Sequence, residues 1–220
     1  MIQNLNIKKI RNLQEQGVIF LNPEKVEIRG EISCGEGVII EVNVILEGVV
    51  NLGDNVRIGP NTIINNSSIK DNTEIKAFTM LNNCQIGKHC FVGPHARIRS
   101  SVQIEDECQI GNFVEIKNSK IGNNCRLNHM AFIGDAVLED NVTIGAGTIT
   151  CNHNGTSVNE TIILQGAYIG SNVNLVAPLT VFENATIGSG STITDDVHGD
   201  KLTLARTRQV SVEGWEKPKK

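Results

Sequence analysis

An all-β solenoid of hexapeptide repeats, with three short strands to each turn, is the fold class that this 220-residue sequence predicts. Three observations predict it. Large apolar residues recur every six positions with occasional fives, as in Leu46, Leu52, Ile58 and Ile64, then Ile98, Ile104, Ile110 and Ile116, and after an interruption from Ile163 to Ile193. The following residue is often Gly (Gly53, Gly59, Gly87, Gly111), and four places after the apolar residue sits a small or β-branched one (Val56, Thr62, Thr73, Cys90, Ala96, Cys108). Aromatic residues make up only 4% of the chain, with one Trp and one Tyr, so Ile, Val, Leu and small residues must fill the interior. This period is neither helical nor that of an ordinary strand. Six residues hold one short strand and one turn; three units close a coil of about 18 residues, and coils stack as parallel sheets. In each unit the large residue enters the interior and the small one fills the corner. Gly and Asn are expected at turns, where they tolerate positive φ.

The elements follow in chain order. Residues 1–20 form an N-terminal helix and linker: Leu5, Ile7, Ile10 and Leu13 make one apolar stripe over residues 2–17, and Gly17 stops it. Residues 21–197 form the β-helix domain, with about nine coils between Val38 and Val197. The period breaks at Cys151–Glu160, where about seven extra residues must loop out of the solenoid, as a loop carrying function often does. Residues 198–220 lose the period and form a C-terminal arm holding Arg206, Arg208 and Trp215.

Composition excludes several classes of function. A net charge of −4 with pI near 5.8 offers no polycationic surface for nucleic acid. There is no long apolar run for a membrane span and no apolar stretch of a signal peptide near the N-terminus, so a cytoplasmic protein is expected. The six cysteines show no CxxC pair, so structural zinc is not expected; Cys90, Cys108 and Cys125 fall on the small interior place, as buried free thiols in a reducing compartment. His89, His95 and His129 share no place in the coil, so no metal site is expected.

Register determines which side chains stand above one another. Arg99 and Lys117 are equivalent places in successive coils, and stacked strands lie about 4.8 Å apart. Two exposed cations at that spacing repel unless an anion lies between them; one phosphate could bridge both, and a solvated ladder of charge is the alternative. His129 is the second residue after Leu127. The same place holds Asn112 below it and Ala146, Ser171 and Ser189 above it, a column of small residues and hence a shallow groove for a long flexible ligand. The Cys151–Glu160 loop is a candidate lid beside His129. Glu115, one coil below, is a carboxylate that could orient the imidazole and favour its charged form.

The segments NVILEGVVNLGDNVRIGPNTII, GPHARIRS, GNFVEIKNSKIG, NHMAFIGDA, NVTIGAGTITCN, YIGSNVNLVAP and EGWEKP carry a resemblance. They are similar to the acetyltransferase half of the bacterial bifunctional N-acetylglucosamine-1-phosphate uridyltransferase/glucosamine-1-phosphate acetyltransferases, over roughly residues 20–218. No Gly-rich nucleotide loop precedes the repeats, so either a standalone acetyltransferase or a piece of a longer chain is expected. The resemblance implies a left-handed β-helix and a homotrimer with its sites between subunits. It implies acetyl-CoA as co-substrate and N-acetylation of glucosamine 1-phosphate, in the supply of UDP-N-acetylglucosamine for the cell envelope. On residues, it implies His129 as general base with Glu115 as its carboxylate neighbour, Arg99 and Lys117 as phosphate-binding cations, and Asn152 as a contact to the amino sugar. Acetyl-CoA contacts fall on Ala146, Ser171, Ser189 and Arg206, with Trp215 a tail aromatic near the cofactor. The chain departs from the family pattern at Phe132 (usually Tyr), Thr143 (usually Asn), His153-Asn154 (usually Tyr-Asp) and Ser189 (usually Ala). Phe132, Thr143 and His153 border the expected sugar position and leave two alternatives open: an acyltransferase for another, perhaps nucleotide-linked, amino sugar, or a β-helix that has lost turnover. The backbone N–H of Ala146 is the expected donor to the thioester oxyanion. Cys151 is expected to be a packed thiol.

Overall fold

The computed structural model describes residues 2–216. Residues 1 and 217–220 lie outside the described residues, and with them the Lys217-Pro218 end of the EGWEKP motif and the end of the expected arm. The chain is a left-handed parallel β-helix capped by one N-terminal helix. The helix runs Ile2–Glu15 and ends at Gly17, whose φ of 94° only glycine adopts readily. Its Ile10 and Leu13 close the base of the core.

Among the described residues, twenty-eight short strands follow, arranged as three flat faces. The first face is an 11-stranded sheet that starts at Ile19–Phe20 and ends at Leu202–Thr203. Parallel pairing thus extends beyond both ends of the Val38–Val197 region that periodicity marks. At either end the ladder of backbone bonds continues after the apolar pattern fades, because pairing needs only an extended backbone beside the previous coil. The second face includes Arg97–Ile98, Glu115–Lys117, Phe132–Gly134 and Ile149–Cys151. The third includes Val102–Ile104, Lys120–Ile121, Ala136–Leu138 and Thr161–Ile163.

Register is held by the large residues. Ile98 pairs Ile116, Ile116 pairs Ile133, and Ile110 pairs Leu127, all essentially inaccessible to solvent. Burying each such side chain is worth about 1.5–3 kcal/mol, and a slip of one residue would turn every one of them outward. The small interior place has a second duty. Thr73 Oγ1 donates to the Gly87 carbonyl at 2.7 Å, and the thiols of Cys90, Cys108 and Cys125 reach the carbonyls of Glu105, Gly122 and Glu139 at 3.1, 3.0 and 3.1 Å. Thr and Cys occur here because a small side chain with a donor both fits and satisfies a carbonyl at the corner. All six cysteines are free. Burial pushes the Cys34 and Cys84 thiols up to about 11. The native protein at pH 8 should therefore react with DTNB at least tenfold more slowly than the denatured chain; rapid labelling of several native thiols would contradict this packing.

The turns use Asn and Gly as expected, but not every Gly for the expected reason. Positive φ falls to Asn, as at Asn55, Asn61, Asn72, Asn83, Asn118, Asn124 and Asn141, and to Gly, as at Gly37, Gly48 and Gly147. Of the glycines that follow the large apolar residue, Gly93 has a φ of 98°, but Gly59, Gly87, Gly111 and Gly145 are not among the positive-φ residues. Each of the latter faces backbone or a short polar side chain of the next coil, so that a Cβ would collide. Close approach between coils, not positive φ, requires them.

Candidate active site

The corner between the first and second faces carries His129. It ends the strand Arg126–His129, whose Asn112 neighbour one coil below pairs with it directly. His129 Nδ1 lies 2.6 Å from Asn112 Oδ1. An amide oxygen only accepts, so Nδ1 carries a proton, and in the neutral ring Nε2 keeps a free lone pair. His129 is exposed and opens onto a groove of about 500 Å³ along the first face, bounded by Lys76, Phe91, Gly93, Gln109 and Gly111. Above it the column continues as expected: the Ala146 carbonyl accepts from Asn172 N–H, and Ser189 Oγ accepts from Ser171 N–H at 3.1 Å. Pro60 and Pro94 stand at equivalent places in lower coils, which shows that this place needs no N–H for the ladder. Among the described residues the Ala146 N–H has no backbone partner. Arg206 passes the top of the column, where a Cβ on Gly190 would lie 3.9 Å from its Cδ. Trp215 is 69% exposed in a tail without strands.

The next place round this corner holds a ladder of Phe78, His95, Phe113 and Met130, all with positive φ. The Phe78 and His95 rings stack at 4.9 Å and the His95 and Phe113 rings at 5.2 Å. Bulky residues in this backbone region are uncommon, and the solenoid uses Asn or Gly at most such turns. Phe78, Phe113 and Met130 nevertheless stay more than half exposed, in the coil of His129 and those below it.

The corner between the second and third faces carries the cations. Arg99 and Lys117 are stacked as the register predicts, but neither stands as an unpaired charge. Arg99 donates to Glu115 Oε1 at 2.9 Å, and Arg97 lies 3.8 Å from Glu115 Oε2. Lys117 Nζ lies 3.5 Å from Asp135 Oδ2. A carboxylate beside each cation relieves the repulsion that a bridging anion was expected to relieve. Glu115 therefore meets the arginines and not His129, because its strand points it to the middle of the second face. Asn112, at the corner itself, is the imidazole's partner.

Asn152 and His153 follow the second-face strand Ile149–Cys151, so the interruption leaves the solenoid over Lys117 and not beside His129. The loop is closed by a bridge between His153 and Val158, and Asn154 Oδ1 accepts from the Thr156 and Ser157 N–H groups at 3.0 and 2.8 Å. His153 is exposed, with Nδ1 accepting from Gly155 N–H at 3.1 Å. Phe132 lies between the two corners, its ring packed over Gly134, where a Cβ would come within 2.7 Å of the ring and 2.9 Å of Asn152 Nδ2. Thr143, half-buried on the first face, pairs Arg126 and Tyr168 and touches neither cluster in this chain. The Cys151 thiol is half-buried and pushed up by burial.

One chain thus holds two separate clusters, His129 with the column Ala146, Ser171 and Ser189 at one corner, and Arg99 and Lys117 with Asn152 at the next. Asn112 and Asp135 were not singled out by sequence reasoning. Asn112's signal was its place in the His129 column; Asp135's was a carboxylate in a column of Asn. A further concavity of about 630 Å³ lies on the third face along Asn51, Ser68, Gln85 and Gln103.

Known proteins agree with this architecture. The model of the bacterial transferase hexapeptide (six repeats) family matches residues 66–100 and 83–118. The protein named Bifunctional protein GlmU of Nitrosomonas eutropha is 47% identical over 210 residues, covering 96% of this chain and 46% of that protein. The protein of the same name from Methylococcus capsulatus is 47% identical over 215 residues, covering 97% of this chain and 47% of that protein. The chain therefore spans a little under half the length of these relatives. A solved structure of a UDP-N-acetylglucosamine acyltransferase from Bacteroides fragilis superposes with a TM-score of 0.54 at 18% identity, over 84% of this chain and 68% of that one, and shows the shared fold.

Proposed function

We propose, for a chain that is a hexapeptide-repeat homologue of one half of the bifunctional GlmU proteins, transfer of the acetyl group of acetyl-CoA to the amine of glucosamine 1-phosphate. The observation that carries this reading is the imidazole of His129. It is exposed, has its proton fixed on Nδ1 by Asn112, and heads the column Ala146, Ser171 and Ser189.

In this reaction the neutral amine attacks the thioester carbonyl. The N–C bond forms, His129 Nε2 takes the amine proton, the C–S bond breaks, and the sulfur leaves with a proton as the free thiol of CoA. The Ala146 N–H, left over by the ladder, is placed to donate to the carbonyl oxygen as charge develops there. Acetyl-CoA lies along the column, with Arg206 meeting a CoA phosphate at its top and Trp215 against the cofactor. The sugar phosphate is held by Arg99 and Lys117, which exchange part of their carboxylate pairing for phosphate oxygens. Phe132, Thr143, Asn152 and His153 border the sugar. Because cations and base occupy different corners of one chain, the complete site is formed between chains of a homotrimer. The exposed Phe78, Phe113 and Met130, in the coil of His129 and those below it, support a covering neighbour on that corner.

The test is release of CoA from acetyl-CoA with a panel of amino sugars, glucosamine 1-phosphate among them. Preference for glucosamine 1-phosphate supports the reading, and turnover of a different amino sugar alone replaces the acceptor. That second reading is favoured by one feature, the phenol-free ring of Phe132 at the sugar position. No release with any amino sugar, and no heat on titrating acetyl-CoA, would make the chain a β-helix without turnover. Lys117→Ala should raise the KM for the phosphorylated sugar about tenfold or more, a charge-assisted hydrogen bond being worth about 1.5–3 kcal/mol. Its KM for acetyl-CoA should stay within about twofold; equal rises in both would remove the phosphate clamp.

A further inference from the structure

Asp135 is the buried charged group that the reaction scheme leaves unused. It is only 9% exposed and sits in the turn after Phe132–Gly134 with a φ of 51°. The corresponding turns in the coils below hold Asn66, Asn83, Ser101 and Asn118, all with positive φ. Asn or Ser is thus what this corner ordinarily uses, and a carboxylate appears at the one level where Lys117 below meets Asn152 above. A buried carboxylate is costly unless its oxygens are filled. Here one oxygen accepts from Asn118 Nδ2 at 2.6 Å; the other accepts from Asn152 Nδ2 and lies 3.5 Å from Lys117 Nζ. Burial pushes Asp135 up, but the two amide donors and the Lys117 charge outweigh it and hold the group below the usual carboxylate range.

An ionised carboxylate only accepts. Asn152 must therefore turn its NH₂ inward, toward Asp135, and its Oδ1 away from it. Among the described residues no group donates to that oxygen. It is an acceptor preset at the cation corner, on the residue where the repeat opens into a loop. We infer that Asp135 is a positioning residue that locks the amide of Asn152 with its oxygen outward, so that the acceptor subsite selects a sugar offering an N–H or O–H donor there. The inference rests on the acceptor site proposed above. An Asn at position 135 would itself offer one N–H₂ and one oxygen. Asn118 and Asn152 would then compete for a single acceptor, and the Asn152 amide could turn either way.

The test is Asp135→Asn, a change that the turn tolerates because Asn fills the same conformation in three coils below. With glucosamine 1-phosphate, the KM for the amino sugar should rise about tenfold, while the KM for acetyl-CoA and the thermal midpoint stay near those of the wild type. An unchanged sugar KM, or equal rises in both KM values with a lower midpoint, overturns the inference. Turnover by the wild type judges the reaction separately. If glucosamine 1-phosphate proves not to be a substrate, the Asn152 side-chain NH₂ in ¹⁵N-labelled protein still decides. Its exchange with solvent should be slow in the wild type and at least tenfold faster in Asp135→Ser, which removes both carboxylate oxygens. Equal exchange in the two proteins would dismiss Asp135 as the lock.

Discussion

Replacing His129 by Ala lowers turnover by about 10²–10⁴-fold, the usual worth of a positioned general base, and leaves the fold intact. The size of the loss follows from geometry. His129 stands at an exposed corner, its one side-chain hydrogen bond is to Asn112, and the interior of that coil is filled by Leu127 and Ala131. In the proposed reaction, removing the ring takes away the proton acceptor for the attacking amine and little else. The thermal midpoint should stay within about 2 °C, since surface changes away from packing features usually alter stability by under about 0.5 kcal/mol. Both KM values should change less than kcat, because in the proposed reaction the imidazole acts on the amine proton while phosphate and CoA are held elsewhere. Steady-state CoA release measures all three quantities. A variant retaining more than about a fifth of wild-type turnover would take the base role from His129.

Gly111→Ala is the second large effect, and it acts through the backbone. A Cβ at Gly111 would collide with the carbonyl oxygen of Asn128, directly above it, with the carbonyl carbon at 2.5 Å and the Cα at 2.9 Å. No side chain can rotate away, because the obstacle is main chain. The coils must separate or the strands must shift. Over-packing of this kind costs about 1–3 kcal/mol and occasionally more, and a backbone obstacle puts this case at the upper end. For a chain of this length that corresponds to a midpoint lower by about 5–10 °C, read by far-UV circular dichroism. Gly111 and Asn128 also precede the Asn112–His129 pair, so a shift here disturbs the imidazole's partner and turnover falls as well. A midpoint within about 1 °C of the wild type would show that the coils yield freely, contrary to the close stacking seen throughout the ladder.

The two variants separate the determinants of this protein. Period and composition alone were enough for the solenoid, since a step of six with a large residue, a Gly and a small residue fits one strand and one corner and little else. The columns were legible for the same reason: Lys117 over Arg99, and Asn112, His129 and Ala146 in one line, follow from counting residues per coil. The reason for the glycines after the large residues was not legible, because positive φ and close approach both favour Gly, and only the neighbouring coil distinguishes them.

Counting residues also could not say where a side chain at a given place points around the prism. Glu115 and His129 lie fourteen positions apart in sequence, yet one faces the middle of a face and the other a corner, so Glu115 pairs with Arg99 and Asn112 meets the imidazole. The interruption was visible, but its exit corner was not; the extra residues leave after the second face and stand over Lys117. Asp135 escaped notice because its role depends on three groups from different coils converging on one buried carboxylate. The sequence by itself determined the repeat, the interior and the vertical order of the columns, since these depend on spacing along the chain. Only the tertiary structure decided which charges pair and which way amides face. Those depend on angles around the solenoid axis and on distances between coils, which spacing along the chain does not contain.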